Sequence, residues 1–474
     1  MKALPALAAV ALLLLSVAFG QERPPNVVLF LADDLGYGDL GCYGQTEMAT
    51  PHLDALAASG MRFTRCYAGS TVCAPSRCVL MTGLHMGRAP VTGNRSPAMP
   101  EGTPTLPGLL RKQGYDTMGI GKWGVGHPLT DSDPQNHGFR DFYGYVSMFH
   151  AHNYYPEFLI RDGEIERLQN QLDTGRFMVA PDGKLGMGVA KTKVDYAPEL
   201  LHTDAKNYLR WRATEKSDQP FFLYLPTNLP HANNEGTPTG DGMEVPDLDD
   251  FADKTDWPKA KKGYASMVRR IDSQVGELVA VLKESGLLEN TLFLFASDNG
   301  PHEEGGYLVE HFDSNGPLRG KKRDLYEGGI RVPFIASWPG KIQAGTSCEA
   351  PVAFQDLLPT LVDLAGGTTP ADGDGVSIKT LLLGHGDAPE RPDLYWFLEE
   401  QGGRDALLTG DGWKVIGHYD GKRTRQRVEL FRLPDDIAET NDLAPEHPDK
   451  VTDLCRRMDA MPQGVGRSAE TKKR

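Results

Sequence analysis

Oxygen-bearing side chains follow two apolar runs of this 474-residue chain at the point where each run ends. Asp33 and Asp34 come directly after the first run, and Asp298 and Asn299 close a later one. Carboxylate and amide oxygens are the ligands that Ca²⁺ and Mg²⁺ prefer, whereas zinc favours histidine and cysteine. An aspartate after a strand is also a common turn or helix-cap residue, so either pair alone says little. Together the four residues predict a divalent cation site.

A cysteine, Cys73, opens the polar segment Cys73-Ala74-Pro75-Ser76-Arg77, which favours a turn over an apolar core. A free cysteine is unusual in an exported protein, so Cys73 is a nucleophile, a modification site, or half of a disulfide with Cys78, Cys66 or another cysteine. Six cysteines in a chain of this length do not make a disulfide scaffold. The residue types alone leave these alternatives open.

Two lysines and a histidine could bind and protonate an anion. Lys122 and Lys322 lie in glycine-rich surroundings, where an ammonium group can help to cradle an anionic ligand. His231 lies in the loop after another apolar run and could act as a general acid. For each residue taken alone, a solvated lysine or a loop histidine with purely structural contacts is the alternative.

The elements that must position these residues follow an α/β pattern. Short apolar runs alternate with longer helical stretches, which predicts a large, mostly parallel central sheet flanked by helices. In such sheets ligands gather at the carboxyl ends of the strands, where the residues above lie. The predicted strands are 26–32, 116–120, 221–225, 291–296 and 332–337, and the predicted helices are 51–59, 106–113, 260–285 and 355–364.

A glycine-, proline- and aspartate-rich stretch at 365–374 marks a predicted domain boundary. After it, short strand patterns and a last helical stretch predict a smaller C-terminal subdomain, an antiparallel sheet plus a helix. The polar segment 227–257 predicts a long surface loop. The predicted organisation is a signal peptide at 1–20, a catalytic α/β domain at 21–375, the C-terminal α+β subdomain at 376–463 and a disordered tail at 464–474.

Composition and the first twenty residues narrow the class of protein. A formal net charge of -14 argues against a general nucleic-acid binder, because phosphate backbones demand Lys/Arg surfaces. Lys2, the apolar run from Leu4 to Val17 and the small residues near Gly20 are typical of an export signal. No later run is long enough to predict a membrane span. We therefore expect an exported protein, periplasmic or secreted in a bacterium, or lysosomal in a eukaryote.

The segment from Cys73 to Arg77, continued by Met81-Thr82-Gly83, resembles the signature of the type I sulfatases, a family of alkaline-phosphatase-like fold. In that family the signature cysteine is oxidised to formylglycine. Other segments resemble the family's motifs in the right order, so that the resemblance covers nearly the whole chain after the leader. These segments are 26–36, 119–126, 297–300, 320–333, 356–361, 429–431 and 440–444.

The resemblance implies a role for each candidate residue. Asp33, Asp34, Asp298 and Asn299 would hold one divalent ion, Ca²⁺ or else Mg²⁺, and the formylglycine (3-oxoalanine) made from Cys73 would be a further ligand. Arg77 would lie beside it, and Lys122, His231 and Lys322 would contact the sulfate group. One position departs from the pattern: the family often has Gly-Lys-Trp-His, whereas Gly124 stands here in place of the histidine. His127 is three residues further on and cannot simply take over that role.

The implied reaction is hydrolysis of a sulfate ester. One hydroxyl of hydrated formylglycine attacks sulfur, and the second lets sulfate depart as the aldehyde re-forms, which a serine could not do. The ion would polarise the reacting oxygens, the basic residues would balance charge, and His231 would protonate the leaving oxygen. A phosphodiesterase or phosphonate monoester hydrolase of the same superfamily is one alternative, and a non-catalytic glycan-binding relative is another.

The expected partners are a substrate and a maturation enzyme. A sulfated glycan fits an exported enzyme with a long polar loop better than a small aryl sulfate does, and the resemblance implies a formylglycine-generating enzyme. Specificity would come from residues outside the sulfate pocket. The candidates are Asn94, Arg95, the segment 150–154 and His302, each with a structural role as the alternative.

Overall fold

The computed structural model describes residues 23–95, 98–173, 186–215, 218–240, 242–420 and 424–461. The predicted leader and tail lie outside these residues. The strands are β1 Asn26–Ala32, β2 Met61–Tyr67, β3 Asp116–Lys122, β4 Asp141–Tyr145, β5 Phe158–Arg161, β6 Glu164–Arg167, β7 Gln171–Leu172, β8 Ala190–Thr192, β9 Phe221–Pro226, β10 Thr291–Ser297, β11 Arg331–Ser337, β12 Thr346–Cys348, β13 Val352–Ala353, β14 Leu394–Leu398, β15 Arg404–Leu408, β16 Trp413–Tyr419 and β17 Arg425–Arg432. The α-helices are α1 Pro51–Ala58, α2 Cys73–Thr82, α3 Leu106–Lys112, α4 Ala197–Thr214, α5 Lys259–Glu284, α6 Glu327–Ile330, α7 Leu357–Leu364, α8 Lys379–Leu382 and α9 Pro448–Asp459.

The large sheet has the strand order β12-β2-β11-β10-β1-β9-β3-β4-β5-β6, with β13 paired to β2. Its centre, β10-β1-β9-β3-β4, is parallel throughout, and β11 and β5 join the two sides of that centre in antiparallel orientation. The predicted mostly parallel sheet is therefore confirmed. Because the central strands are parallel, the segments that follow β1, β9, β10 and β3 all emerge at one edge of the sheet.

Helices cover both faces of this sheet. Alternate side chains of β1 point to opposite faces, so that Val28 and Phe30 pack in one core cluster while Leu29 and Leu31 pack in another. The first cluster includes residues of α1, α4 and α5, and the second includes residues of α2, α3 and α7. The predicted apolar stripe of α5, from Met267 to Leu282, is buried at helical spacing.

The C-terminal strands form the predicted antiparallel sheet, in the order β14-β15-β16-β17. Its two faces alternate: Leu394 and Trp396 pack with Tyr67 and Ile330 of the larger part, whereas Tyr395 and Phe397 lie in the other cluster, which also contains residues of α9. This sheet therefore packs directly against the part of the chain that contains the large sheet. The domain boundary at 375 stays a prediction.

The prediction of a long surface loop at 227–257 is wrong for its first part. Residues 228–233 are buried, because the segment folds back over the edge of the sheet and Asp33 donates its backbone N–H to Leu229 O. Within the described ranges, no helix is long and apolar enough to cross a membrane.

Candidate active site

The first group of site residues meets where β1 and β10 end. The two strands are in register to their last residues, Ala32 opposite Ser297, so the aspartates that follow them lie side by side. Asp298 donates its N–H to Ala32 O at 3.0 Å, and Asp34 donates its N–H to Asp298 Oδ1 at 3.1 Å. Asp34 has φ +68°, a left-handed conformation that aspartate tolerates better than most residues. This turn aims both Asp33 and Asp34 into one buried cluster.

Three basic side chains are bonded to these carboxylates. Lys122 Nζ, at the end of β3, lies 2.6 Å from Asp33 Oδ2, and Lys322 Nζ lies 2.7 Å from Asp34 Oδ2. Arg77 on α2 donates to Asp298 Oδ2 from Nε at 2.9 Å and lies 2.8 Å from it through Nη2. The carboxylates and Arg77 and Lys122 are wholly buried, and Lys322 nearly so. The sequence placed these residues on different elements, and the fold brings them together.

Burial and like charge both raise the pKa values of the carboxylates in this cluster, and the basic residues lower them. Burial would raise the pKa of Asp33, but Lys122 and Arg77 outweigh burial and hold that pKa well below its usual value. Burial, with Asp33 adding to it, raises the pKa of Asp298 to about 7. Three carboxylates so close together favour an additional cation.

The donor set fits a hard divalent ion. One ligand atom from each of Asp33, Asp34, Cys73 and His231 lies within 4.8 Å of the others. Asp33 Oδ1 and Asn299 Oδ1 are buried and accept no hydrogen bond from the parts of the chain that the structure describes. Unsatisfied buried oxygens are costly unless a cation or a donor meets them. Oxygen donors of this kind suit Ca²⁺ or Mg²⁺.

Cys73 is the first residue of α2 and is 1% exposed, with Sγ 3.7 Å from Asp34 Oδ1. The expectation of a polar turn was wrong, since the segment is helical and all of α2 is buried. Pro75 is tolerated there because the first turn of a helix needs no N–H donors. None of the six cysteines forms a disulfide. Burial raises the pKa of the Cys73 thiol well above its usual value, so an unmodified thiol here is a poor nucleophile.

His231 is held in one orientation. Its Nδ1 lies 2.6 Å from Ala232 O, a contact that requires Nδ1–H as donor and leaves Nε2 as the acceptor. Lys322 Nζ donates to this Nε2 at 3.1 Å. Burial, together with Lys322, lowers the pKa of His231 to about 3, so the ring is neutral with its lone pair facing the cluster.

The predicted specificity residues separate into near and distant ones. Asn94 Oδ1 accepts the N–H of Ala74, next to Cys73, at 3.1 Å, so this side chain lies at the site. His302 packs over His231 with ring centroids 5.9 Å apart, and its ring nitrogens bond to Pro230 O and to the Glu304 N–H. His150 is buried against Tyr145 and Phe158 instead.

Sequence reasoning missed the individual role of His152 and missed Glu304 altogether. The His152 ring stacks on His231 with centroids 4.7 Å apart and planes 15° apart. Glu304 Oε2 lies 3.3 Å from Lys322 Nζ and 3.7 Å from His231 Nε2. The only signal in the sequence was their proximity to the candidates: His152 lies in the segment 150–154, and Glu304 two residues after His302.

The backbone conformation and surroundings of Gly124 favour glycine at this position. Its φ is +78°, which favours glycine, and a Cβ there would come within 3.2 Å of Arg77 Cδ. The backbone of this chain therefore disfavours an imidazole at position 124. His127, the nearest histidine along the chain, donates its backbone N–H to Ser132 Oγ.

Comparisons with known proteins agree with this geometry. The sequence model of the sulfatase family matches residues 25–367, and that of the N-sulphoglucosamine sulphohydrolase C-terminal region matches residues 320–462. Arylsulfatase A of Homo sapiens is 34% identical over 431 residues, which cover 86% of this chain and 77% of that protein. N-acetylgalactosamine-6-sulfatase of Rattus norvegicus is 34% identical over 418 residues, 83% of this chain and 71% of that one. The crystal structure of Ps i-CgsB in complex with k-i-k-neocarrahexaose superposes with a TM-score of 0.73 at 26% identity, covering 95% of this chain and 96% of that chain.

Proposed function

Because the chain belongs to the sulfatase family and is a sulfuric ester hydrolase, we propose that it removes sulfate from a sulfated carbohydrate at the cluster around Cys73. The observation that carries this proposal is the buried Cys73 at the head of α2, placed against Asp34 and among Arg77, Lys122 and Lys322. Two relatives support a carbohydrate substrate: one is named for an amino sugar, N-acetylgalactosamine, and the other was crystallised with k-i-k-neocarrahexaose.

We propose that Asp33, Asp34, Asp298 and Asn299 hold one divalent ion, Ca²⁺ in preference to Mg²⁺. The buried, unpaired Asp33 Oδ1 and Asn299 Oδ1 support this assignment. When bound, such an ion acts as a Lewis acid toward sulfate oxygens and lowers the pKa of a hydroxyl next to it. The flexible coordination of Ca²⁺ suits a mixed carboxylate and amide set better than the strict octahedron of Mg²⁺ does.

We propose that Cys73 is converted to formylglycine by a maturation enzyme, as is the norm of the family. The converted residue supplies a hydrated aldehyde, with one hydroxyl to attack and a second that permits release. The raised pKa of the buried thiol supports conversion over use of the cysteine itself, because a neutral thiol is a weak nucleophile. The helix start at Cys73 fixes the position of the reacting carbon.

The three basic residues would bind the sulfate group. Lys122 is hydrogen-bonded to Asp33 and has further N–H groups to offer an anion. Lys322 is bonded to Asp34, His231 and Glu304, so it would exchange one of these contacts for the sulfate. Arg77 is held by Asp298 and by Lys122 O, so its guanidinium is preorganised. Charges fixed in a water-poor site stabilise developing negative charge more than they would in water.

His231 would carry the proton to the leaving oxygen at Nε2. The Nδ1–H bond to Ala232 O and stacking by His152 and His302 keep this atom facing the cluster. Because Lys322 lowers the pKa of His231, we propose that Nε2 takes a proton from solvent once Lys322 has turned to the sulfate group, whose negative charge favours the imidazolium form. Since position 124 holds a glycine, we propose that the same Nε2 takes a proton back when sulfate is released. Among the described residues, His231 is the histidine whose ring nitrogen lies within 4.8 Å of ligand atoms of Cys73, Asp33 and Asp34.

Export remains part of the proposal, since the predicted leader at 1–20 lies outside the described residues. A periplasmic or secreted enzyme of a bacterium is favoured by that leader. Among the candidates for contacts to the sugar, Asn94 lies next to Cys73 and His302 lies over His231.

The decisive experiment measures sulfate release together with the state of Cys73. Protein co-produced with a formylglycine-generating enzyme should show the mass of formylglycine in the Cys73 peptide. It should release sulfate from 4-nitrophenyl sulfate and from glycoside monosulfates faster than phosphate from the matched phosphate esters. Chelation should abolish turnover, and Ca²⁺ should restore it better than Mg²⁺. Faster turnover of the phosphate esters, or indifference to an effective chelator, would refute the corresponding part of the proposal.

A further inference from the structure

A carboxylate lies where an anion is to bind. Glu304 Oε2 is 3.3 Å from Lys322 Nζ and 3.7 Å from His231 Nε2, and the Glu304 side chain is 16% exposed. Burial would raise the pKa of Glu304, but Lys322 and Arg323 outweigh it, hold that pKa below its usual value and keep the side chain ionised. A negative charge this close opposes sulfate binding, so its presence calls for a role other than holding sulfate.

The orientation of the Glu304 side chain is fixed by Arg323. Arg323 Nη1 holds Glu304 Oε1 at 2.6 Å, and Arg323 Nε is held in turn by Glu400 Oε2 at 3.0 Å, from the connection between β14 and β15. The Glu304 backbone N–H is donated to His302 Nδ1 at 3.0 Å. Oε1 is therefore committed to Arg323, and Oε2 is the oxygen that faces the site.

The position of the leaving group follows from His231. A general acid must lie within about 2.6–3.2 Å of the oxygen it protonates. Since His231 Nε2 and Glu304 Oε2 are 3.7 Å apart, the carbon that carries the leaving oxygen and its neighbours must pass close to this carboxylate. When Lys322 turns to the sulfate, Glu304 Oε2 loses its hydrogen bond from Lys322. The bound substrate also excludes water from Glu304 Oε2. An ionised acceptor left unpaired in that way is costly, so the substrate must supply a donor.

We propose that Glu304 is a specificity-determining residue that accepts a hydrogen bond from a hydroxyl group on the sugar carbon next to the sulfated carbon. The proposal rests on the proposed function, because it takes His231 as the acid and a sulfated carbohydrate as the substrate. It also names what the site rejects. A carboxylate or a second sulfate at that neighbouring carbon would meet the Glu304 charge, so the preferred substrate has a neutral donor there.

The test compares two substrates and four enzymes. The substrates are the glycoside monosulfate that the wild type hydrolyses fastest and the same compound lacking the hydroxyl next to the sulfate. The enzymes are wild type, Glu304→Ala, Glu304→Gln and the matched control Glu303→Gln. Glu303 is the adjacent carboxylate, but it pairs with Lys321.

The wild type and Glu303→Gln should prefer the hydroxyl-bearing substrate in kcat/KM by about 10- to 100-fold, the range for a hydrogen bond to a charged group. Glu304→Ala should lose that preference to within about 3-fold, and Glu304→Gln, whose amide oxygen still accepts, should keep part of it. Turnover of 4-nitrophenyl sulfate, which has no such hydroxyl, reports whether each variant is folded and active. If Glu304→Ala is inactive toward that ester, the substrate preference is measured with Glu304→Gln instead.

A preference that survives in both Glu304 variants, or one that is absent from the wild type, would overturn this inference and leave the proposed function intact. Failure of the wild type to release sulfate from any glycoside, while it hydrolyses 4-nitrophenyl sulfate, would overturn the carbohydrate assignment and this inference with it. Failure on every sulfate ester despite converted Cys73 would overturn the proposed site as a whole.

Discussion

The charged residues at the carboxyl ends of β1, β3 and β10 can be compared with a second buried cluster, in which Glu327 of α6 and Glu439 meet Lys414 of β16. Both clusters exclude water and contain more than one carboxylate. In the second cluster, Lys414 Nζ lies 2.9 Å from Glu327 Oε1 and 2.8 Å from Glu439 Oε1. The other oxygen of Glu327 is 3.0 Å from Tyr67 OH, and the other oxygen of Glu439 accepts the Glu327 N–H at 2.6 Å.

The two clusters differ in how many of their buried carboxylate and amide oxygens have a donor within hydrogen-bond distance. Every carboxylate oxygen of Glu327 and Glu439 has a donor atom within 3.0 Å, and for Glu439 Oε1 this contact is an ion pair with Lys414 rather than an aligned hydrogen bond. In the site, Asp33 Oδ1 is 3.5 Å from Arg77 Nη2, and neither Asp33 Oδ1 nor Asn299 Oδ1 accepts a hydrogen bond from the described residues. Buried charge alone is therefore no mark of function in this molecule. The cluster beside Cys73 has oxygen acceptors without hydrogen bonds and can therefore receive a ligand. The cluster of Glu327, Lys414 and Glu439 instead connects two parts of the fold.

Replacing Cys73 by alanine should have the largest effect on activity. We expect turnover to fall by on the order of 10⁶-fold, as on removal of other covalent nucleophiles. The free energy of unfolding should change by no more than about 1 kcal/mol, since the variant loses only the few buried atoms beyond Cβ of residue 73. Sulfate release and urea denaturation check both statements. Cys73→Ser is the control, which should be as inactive in turnover because serine has no second hydroxyl. An active alanine variant would end the formylglycine assignment.

Replacing His231 by glutamine should have the next largest effect. For alkyl and glycoside sulfates we expect kcat to fall by about 10²- to 10⁴-fold, the usual contribution of a general acid. The loss should be smaller for 4-nitrophenyl sulfate, whose leaving group needs no proton. Rates measured against the pKa of the leaving alcohol test this. Equal losses for all leaving groups would show that His231 is not the acid.

Replacing Lys414 by methionine should break the second cluster without touching the chemistry. Glu327 and Glu439 would then be buried without their shared cation, and we expect a loss of about 3–5 kcal/mol in the free energy of unfolding. The kcat of the folded fraction should stay within about 3-fold of wild type, because Lys414 contacts no site residue named above. Chemical denaturation and active-site titration separate the two quantities. A selective loss of kcat with unchanged stability would contradict the comparison.

The smallest effect expected is a pH dependence that Glu439 confers on stability. Burial, aided by Glu327, raises the pKa of Glu439 from 4.5 to about 7 despite Lys414. A raised pKa in the folded state means that the stabilising contribution is present below pH 4.5 and is lost as the pH rises through about 7. Relative to Glu439→Gln, the wild type should therefore lose up to about 3 kcal/mol between pH 5 and 8.

Denaturation curves of both proteins at pH 5, 6, 7 and 8 would show this loss. The loss should be the same with and without Ca²⁺, since no metal is expected at the second cluster. A difference between the two proteins that is constant across this range, or that grows in favour of the wild type with rising pH, would refute the assignment.

Several features could be predicted from the chain alone because they depend on local pattern. The apolar run at 26–32 and the helical stripe within 260–285 appear as β1 and α5 nearly to the residue. The C-terminal strands and last helix follow the same rule. The residue types after the strands, together with the Cys73 segment, were enough to predict a metal site, an anion clamp and the family.

Tertiary structure alone decided which of those residues touch and what surrounds them. Asp34 and Lys322 are 288 positions apart, and the register of β1 on β10 and the fold of the later loop bring them to 2.7 Å. The burial of Cys73, the orientation of His231 and the approach of Glu304 depend on packing between distant segments, which no local periodicity encodes. Gly124 shows the same division: the sequence revealed that a histidine was absent, and only the backbone of this chain, at φ +78° against Arg77, showed why a histidine is disfavoured there.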